Sequence, residues 1–268
     1  MLNILRLLIP ARWRITVGVW LINRASCCWF ILKLYLNILH GKVPSGMGIE
    51  GNYCYCDYHG SRIRAPKNAA GVFLEIFQDK VYEQYWSPQP GDTVLDIGAY
   101  VGMFTVKAAC DVGNNGRVIA VEPSRKTFKQ LMDNCSSFNN VILVNKAAMN
   151  HTGKGKLYSS ASAAANSMMT SRKEYETVEV DTIDNLLSEL GIDKVNFVKI
   201  DAEGGELEVL KGATRLLQGG AKLAIAAYHT VPYSGKEVKI VRQYLEKAGY
   251  IVYAQKGLRS YLHAEKTN

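Results

Sequence analysis

From Asp92 onward, short apolar β-branched runs alternate with stretches whose apolar positions recur at helical spacing. That is the pattern of a parallel sheet with helical crossovers. Strands are predicted at 94–97, 117–121, 140–145, 196–201 and 222–228, and helices at 103–110, 124–137, 183–190, 205–217 and 236–248. The segments 250–254 and 258–264, around Lys256-Gly257, read as a closing antiparallel hairpin. Between the third and fourth strands lies an insertion, 151–179, with strands expected at 155–159 and 175–180. Its middle, 160–166, consists of small residues suited to closing over a ligand. The expected fold class is α/β: a Rossmann-like, mostly parallel sheet with a terminal antiparallel hairpin and an N-terminal helical extension.

Upstream of Asp92 the pattern changes. Residues 1–42 are rich in Leu, Ile and aromatics, interrupted by Arg6, Arg12, Arg14, Arg24, Lys33 and Lys42, with no acid. Their charge-free stretches fall well short of the about 20 apolar residues that a spanning helix needs. No small-residue cleavage site marks a signal peptide. Trp13, Trp20 and Trp29 among these bases fit helices lying in a membrane interface, and they fit equally a helical pair packed on the main domain. Residues 43–90 read as a connector. Gly46, Gly48 and Gly51 break the helical pattern, and 53–58 and 62–65 look like strands joined at His59-Gly60. Phe73, Ile76 and Phe77 keep helical spacing, followed by the aromatics Tyr82, Tyr85 and Trp86. The turn-forming Ser87-Pro88-Gln89-Pro90-Gly91 marks the expected start of the main domain, 91–268.

With 268 residues, 48% hydrophobic and 21% charged, the chain can bury one large core plus an appendage. The net charge of +8 is uneven: residues 1–42 contribute +6, whereas 91–268 hold 22 bases and 19 acids. So mild a balance argues against a nucleic-acid groove across the main domain. The six cysteines, Cys27, Cys28, Cys54, Cys56, Cys110 and Cys135, form no disulfide framework. A cytoplasmic location with reduced thiols is expected, at the inner membrane face if residues 1–42 bind lipid. Cys54 and Cys56, near His59, lack a second pair to complete a tetrahedron and read as one face of a strand. No metal is assigned.

Candidate chemistry gathers at the carboxyl ends of the strands. The first strand runs into Asp96-Ile97-Gly98-Ala99-Tyr100-Val101-Gly102, where Gly98 permits close backbone approach to a ligand and Gly102 a tight helix start. The second strand ends at Glu122-Pro123, 20 residues after Gly102, where an acid can take two hydrogen bonds from a ribose diol. Nicotinamide enzymes share this logic but read GxGxxG and cradle a pyrophosphate. An acid-first DxGxxxG loop suits the phosphate-free S-adenosylmethionine. Asp96, Gly98, Ala99, Tyr100, Gly102, Glu122 and Asp201 are therefore the cofactor-binding candidates.

Methyl transfer from a sulfonium is an in-line displacement that needs two partners positioned and, for an alcohol acceptor, somewhere for its proton to go. Asp201 and Glu203 end the fourth strand, Glu206 follows at helical spacing, and His229 ends the fifth. These four are the catalytic candidates: Asp201 near the sulfonium, His229 as base, and Glu203 and Glu206 shaping the acceptor site. Glu206 reads equally as a helix-start acid, and His229 as a hydrogen-bonded strand-end residue. Asp201, Glu203 and His229 also form a set that can hold a divalent cation, although such sets are common without one. An amine-selecting Asn/Asp-Pro-Pro-aromatic turn is absent; Asp201-Ala202-Glu203-Gly204 stands there instead. The alternatives are an RNA or other N-methyltransferase on the same fold, or a non-catalytic adenosylmethionine-binding module.

Over residues 81–230 the chain resembles the FkbM family of methyltransferases. The resemblance rests on Pro90-Gly91-Asp92-Thr93-Val94-Leu95-Asp96-Ile97-Gly98-Ala99, on Val121-Glu122-Pro123, and on Val180-Asp181-Thr182-Ile183-Asp184. It rests above all on Val198-Lys199-Ile200-Asp201-Ala202-Glu203-Gly204-Gly205-Glu206, with Lys211-Gly212-Ala213 behind it. Where the family often has an acid two residues before the strand-five His, this chain has Ala227. The resemblance implies a class I methyltransferase sheet and an O-methyltransferase acting on hydroxyls of sugars, glycolipids or natural products.

Overall fold

The computed structural model describes residues 46–158, 167–169, 174–228, 236–254 and 260–266. The expectations for residues 1–42, for the run 160–166 and for His229 lie outside the described residues. The chain divides into two compact units, Met1–Val81 and Tyr82–Asn268. The division precedes the proline-rich turn at which the sequence placed it, because residues 82–90 are anchored on the second unit. The carboxylate of Glu83 meets the buried ammonium of Lys107 at 2.8 Å, and Asp111 meets the same ammonium at 2.7 Å.

The described part of the first unit is an antiparallel meander of β1 (Met47–Glu50), β2 (Tyr53–Tyr58) and β3 (Ser61–Pro66). A helical stretch follows: Lys67–Ala69, then α1 (Ala70–Phe73), then a π-type turn over Leu74–Gln78. The β2–β3 turn falls at His59-Gly60, as expected. β1 was not expected, since its glycines read as breakers. Gly48 lies within the strand, where a Cβ would come 2.3 Å from the Tyr55 hydroxyl and push that side chain aside. Cys54 and Cys56 share the buried face of β2, and burial pushes their thiols up to about 12 and about 11.

The second unit contains, in chain order, β4 (Thr93–Ile97), α2 (Met103–Val112), β5 (Arg117–Val121), α3 (Arg125–Cys135) and β6 (Val141–Val144). The insertion supplies β7 (Ala147–Ala148), β8 (Gly153–Tyr158) and β9 (Tyr175–Asp181). Then come α4 (Ile183–Glu189), β10 (Phe197–Ile200), α5 (Glu206–Lys211), α6 (Thr214–Gln218), β11 (Lys222–Ala226), α7 (Lys236–Lys247), β12 (Tyr250–Ala254) and β13 (Tyr261–Lys266). Seven strands form the main sheet in the order β6-β5-β4-β10-β11-β13-β12. Those from β6 to β11 run parallel, and β13 lies antiparallel between β11 and β12. β7, β9 and β8 form a separate small sheet.

The inner parallel strands are apolar along nearly their whole length because both sheet faces are covered. Leu95, Ile97, Ile119, Val121, Val198, Ile200, Leu223 and Ile225 belong to one buried core. The helix expected over 205–217 is two helices, broken at Gly212. A Cβ at Gly212 would fall 2.0 Å from the Met149 carbonyl oxygen, so β7's exit passes where a continuous helix would carry side chains. One transverse row of the sheet departs from the apolar pattern. Registers align Ala120, Asp96, Lys199, Ala224, His263 and Tyr253 across five neighbouring pairs. Small residues flank the acid and the lysine, leaving room for two long polar side chains in a buried sheet.

The Glu83–Lys107 pair generates a prediction about stability. Burial lowers the affinity of Lys107 for its proton, but the charges of Glu83 and Asp111 outweigh that and raise it. Lys107→Met keeps the length of the side chain and leaves the Glu83 carboxylate buried without its counter-charge. Urea unfolding should show a loss of about 3–5 kcal/mol, the usual consequence of halving a buried pair. A loss below about 1 kcal/mol would mean that the pair is solvated and that residues 82–90 are anchored otherwise.

Candidate active site

The loop after β4 is built by backbone constraint. Gly98 (φ 71°) and Gly102 (φ 89°) occupy the left-handed region, and Tyr100 does so at φ 54°. At Gly98 a Cβ would lie 1.9 Å from the Asp201 carbonyl oxygen, so only glycine lets the ends of β4 and β10 approach. At Gly102 a Cβ would press on Leu131 of α3 at 2.6 Å, which accounts for the tight start of α2. The amides of Gly98 and Ala99 both donate to the Val121 carbonyl, at 2.9 and 3.1 Å, and tie the loop to β5.

Glu122 sits at the tip of β5, only 8% exposed. Its two carboxylate oxygens accept from the backbone N–H groups of Tyr100 and Ser124, both at 3.0 Å. Burial pushes the Glu122 carboxyl up to about 7, against those two hydrogen bonds and the nearby charge of Lys199. Asp96 lies elsewhere. Fully buried, it accepts from the Thr105 hydroxyl at 2.6 Å and pairs with the Lys199 ammonium at 3.1 Å. Lys199 also donates to the carbonyls of Gly98 at 2.6 Å and Ile97 at 3.3 Å. Burial pulls this lysine down, but Asp96 and Asp201 more than restore it and carry it above its ordinary range.

After β10 the chain turns sharply at Glu203 (φ 51°) and Gly204 (φ 97°). The buried Glu206 carboxylate reaches back to accept from the amides of Ala202 at 2.9 Å and Gly204 at 3.3 Å. The Glu203 carbonyl accepts from the Ser167 hydroxyl at 2.7 Å. Asp201 accepts from the Tyr82 hydroxyl at 2.6 Å. A cavity of about 500 Å³, its open mouth included, lies over the carboxyl ends of β4, β5 and β10. Gly98, Pro123, Asp201 and Glu203 face it on one side, and Met149 and Met168 line it on the other.

The structure thus separates the sequence candidates. Gly98, Asp201 and Glu203 line the cavity, and Glu122 stands between two of its lining residues, Val121 and Pro123. Ala99, Tyr100 and Gly102 shape the turn beside it. Asp96, a cofactor-binding candidate in the sequence, is ion-paired with Lys199, its neighbour in the β4–β10 register, and is not among the residues lining the cavity. Glu206, an acceptor-site candidate in the sequence, uses Oε1 to accept from two backbone amides of the β10 loop. Sequence reasoning gave no role to Lys199 or Tyr82. A lysine in an otherwise apolar strand, Phe197-Val198-Lys199-Ile200, was itself a signal, since a buried ammonium demands partners. Tyr82 carried none. Among the described residues, no group of three or more His, Cys, Asp or Glu side chains is placed to hold a metal ion.

A parallel sheet extended by an inserted antiparallel last strand, with a glycine turn and an acid at adjacent strand tips, defines the class I S-adenosylmethionine-dependent methyltransferase fold. Within that class, the methyltransferase FkbM domain matches residues 96–252, more than half of the chain, and the chain belongs to the FkbM family. It is 28% identical over 158 residues to the hexuronic acid methyltransferase AglP of Haloferax volcanii, a match covering 59% of this chain and 62% of that protein. The chain therefore spans less than two-thirds of that relative's length. The FkbM methyltransferase of Methylobacillus flagellatus KT superposes with a TM-score of 0.52 at 19% identity, over 72% of this chain and 47% of that one. A fibrillarin/Nop5p complex gives 0.53 at 14% identity, over 83% and 98%. At such identities the likeness is one of fold. The family's methyl donor is S-adenosylmethionine, and the residues present suit it: a close-packed glycine turn, and a buried acid at the β5 tip beside the cavity.

A donor ribose held by Glu122 would make donor binding pH-dependent. In the folded protein without donor its carboxyl lies near 7, against an ordinary 4.5, so folding favours the protonated form. Its contribution to stability is therefore full below 4.5 and is lost as pH rises through about 7. Binding runs the opposite way, because hydroxyl donors on a ribose favour the carboxylate. Calorimetry should show S-adenosylmethionine affinity rising by about tenfold between about pH 6 and about pH 8. Glu122→Gln should bind more weakly and lose that rise. The same slope in both proteins would assign the titration to another group.

Proposed function

We propose that this protein transfers the methyl group of S-adenosylmethionine to a hydroxyl oxygen of a sugar-containing acceptor, with a hexuronic acid glycoside as the first candidate. The observation that carries the proposal is the acid-lined cavity over β4, β5 and β10, formed within the region that matches the FkbM domain. The hexuronic acid relative supports the acceptor class. When bound, S-adenosylmethionine supplies an electrophilic methyl group on a sulfonium. Glu122 would hold its ribose and Gly98 would let the backbone close on it. Asp201, on the cavity wall, would face its positive charge, and Glu203 would border the acceptor. His229, which in the sequence follows the end of β11 at Ala226 by three residues, is proposed as the base that takes the hydroxyl proton.

The test supplies methyl-labelled S-adenosylmethionine with glycosides ending in a uronic acid or in a neutral sugar. Label should enter a uronic acid glycoside as an alkali-stable ether. An alkali-labile ester would move the reaction to the carboxylate oxygen, and label on nitrogen would reject O-methylation. His229→Ala should keep donor affinity and slow turnover by about 10²–10⁴-fold, the contribution of a positioned general base. Unchanged turnover would pass that role to Asp201 or Glu203.

Residues 1–42 are proposed to contact an anionic membrane surface from the cytoplasmic side, on the strength of their six bases and three tryptophans. Among the described residues no helix is long and apolar enough to cross a membrane. The full chain should co-sediment with vesicles containing phosphatidylserine and lose about tenfold or more in affinity when Arg12, Arg14 and Arg24 become Gln. Equal sedimentation of both proteins would favour a packed helical pair.

A further inference from the structure

We infer that Tyr82 is a positioning residue for Asp201, and that its hydroxyl sets how strongly the site prefers a sulfonium to a neutral thioether. The inference rests on the reading of the cavity as the S-adenosylmethionine site. The Tyr82 hydroxyl donates to Oδ2 of Asp201 at 2.6 Å. The side chain is buried, 5% exposed, and is not among the residues that line the cavity. Its ring meets Phe104 edge-on at 5.7 Å and Tyr261 at 5.4 Å, and the Lys199 ammonium lies 5.4 Å from its centroid. The backbone is fixed as well, since the next residue, Glu83, is ion-paired to Lys107. The donor therefore has one place to point.

The phenol also stays a donor. Burial, and then the Asp201 charge, push its pKa well above the ordinary value, so it keeps its proton through the neutral range. Asp201 is half-buried on the cavity wall and also feels the positive charge of Lys199. A carboxylate between a lysine and an open cavity has two directions in which to turn its charge. A hydrogen bond to one named oxygen removes that freedom and holds the plane of the group. The attraction of a carboxylate for a neighbouring full charge depends on their separation, so holding the carboxylate in place fixes its strength. S-adenosylmethionine and S-adenosylhomocysteine share their ribose, adenine and amino-acid ends and differ at sulfur, which is charged in the first alone. Their affinity ratio therefore reads the placement of the Asp201 charge.

The experiment titrates both ligands calorimetrically into the full chain and into Tyr82→Phe, Asp201→Asn and the double variant. Tyr82→Phe retains the ring and its aromatic contacts. It should lose about tenfold in S-adenosylmethionine affinity, the usual effect of a hydrogen bond to a charged group, and less than about twofold for S-adenosylhomocysteine. The double variant should bind no more weakly than Asp201→Asn alone, since the hydroxyl acts only through that carboxylate. Asp201→Glu keeps the charge but moves it from the hydroxyl, and should lose the same preference with Tyr82 intact. That outcome is readable even if Tyr82→Phe fails to fold. Equal losses for both ligands, additive losses in the double variant, or wild-type affinities in Tyr82→Phe would each overturn the inference. Failure of the unmodified protein to bind either ligand would overturn the cofactor reading itself, and needs no variant to be seen.

Discussion

An ammonium buried between two neighbouring strands is the constraint on which the site depends. Lys199 reaches from β10 to Asp96 and to the carbonyls of Ile97 and Gly98, all at the end of β4. Register makes this possible, because Lys199 stands beside Asp96 and alanines flank the pair on both sides. Burying two ions costs several kcal/mol each before their attraction is counted, so the pair is poor evidence for stability. Its consequence is geometric. It fixes the end of β4 against the end of β10, and therefore the glycine turn against the Asp201 loop.

Asp96, Glu122, Asp201 and Glu206 are all site candidates in the sequence, and their surroundings differ. Asp96 neutralises Lys199 and takes the Thr105 hydroxyl. Glu206 gives one oxygen, Oε1, to the amides of a strained turn, where Glu203 and Gly204 hold positive φ. Glu122 is buried but set beside the cavity, where its elevated pKa leaves it sensitive to what binds. Asp201 stands in the cavity wall with one oxygen held from behind. Charge alone would not distinguish them; the hydrogen bonds around each do.

The wall behind Asp201 comes from a segment that the sequence placed outside the main domain. Residues 82–90 lack the apolar periodicity that would assign them to the sheet, yet Glu83 carries a buried charge that only Lys107 and its helix can satisfy. The local pattern in this segment favours a turn, and a long-range ion pair decides where it goes. Aromatic residues then fill the space left over that face of the sheet, with Tyr85 stacked on Tyr253 and close to His263.

The order of strands and helices, the glycine turn and the acid at the β5 tip were legible because each leaves a local mark. Buried parallel strands must be apolar throughout, a tight turn must carry glycine, and an adjacent strand tip is the position from which an acid can reach a ribose. β1 escaped because its Gly48 answers to Tyr55 on the next strand rather than to its own backbone. The break at Gly212 escaped because it is imposed by Met149, distant in sequence. The sequence by itself determined that Asp96 lies at the carboxyl end of one strand, and Asp201 and Glu206 at and just after the carboxyl end of another. Only the tertiary structure decided which way each side chain faces. Facing is set by cross-strand register and by the partners a buried charge must find, and neither has a spacing that a single chain can display.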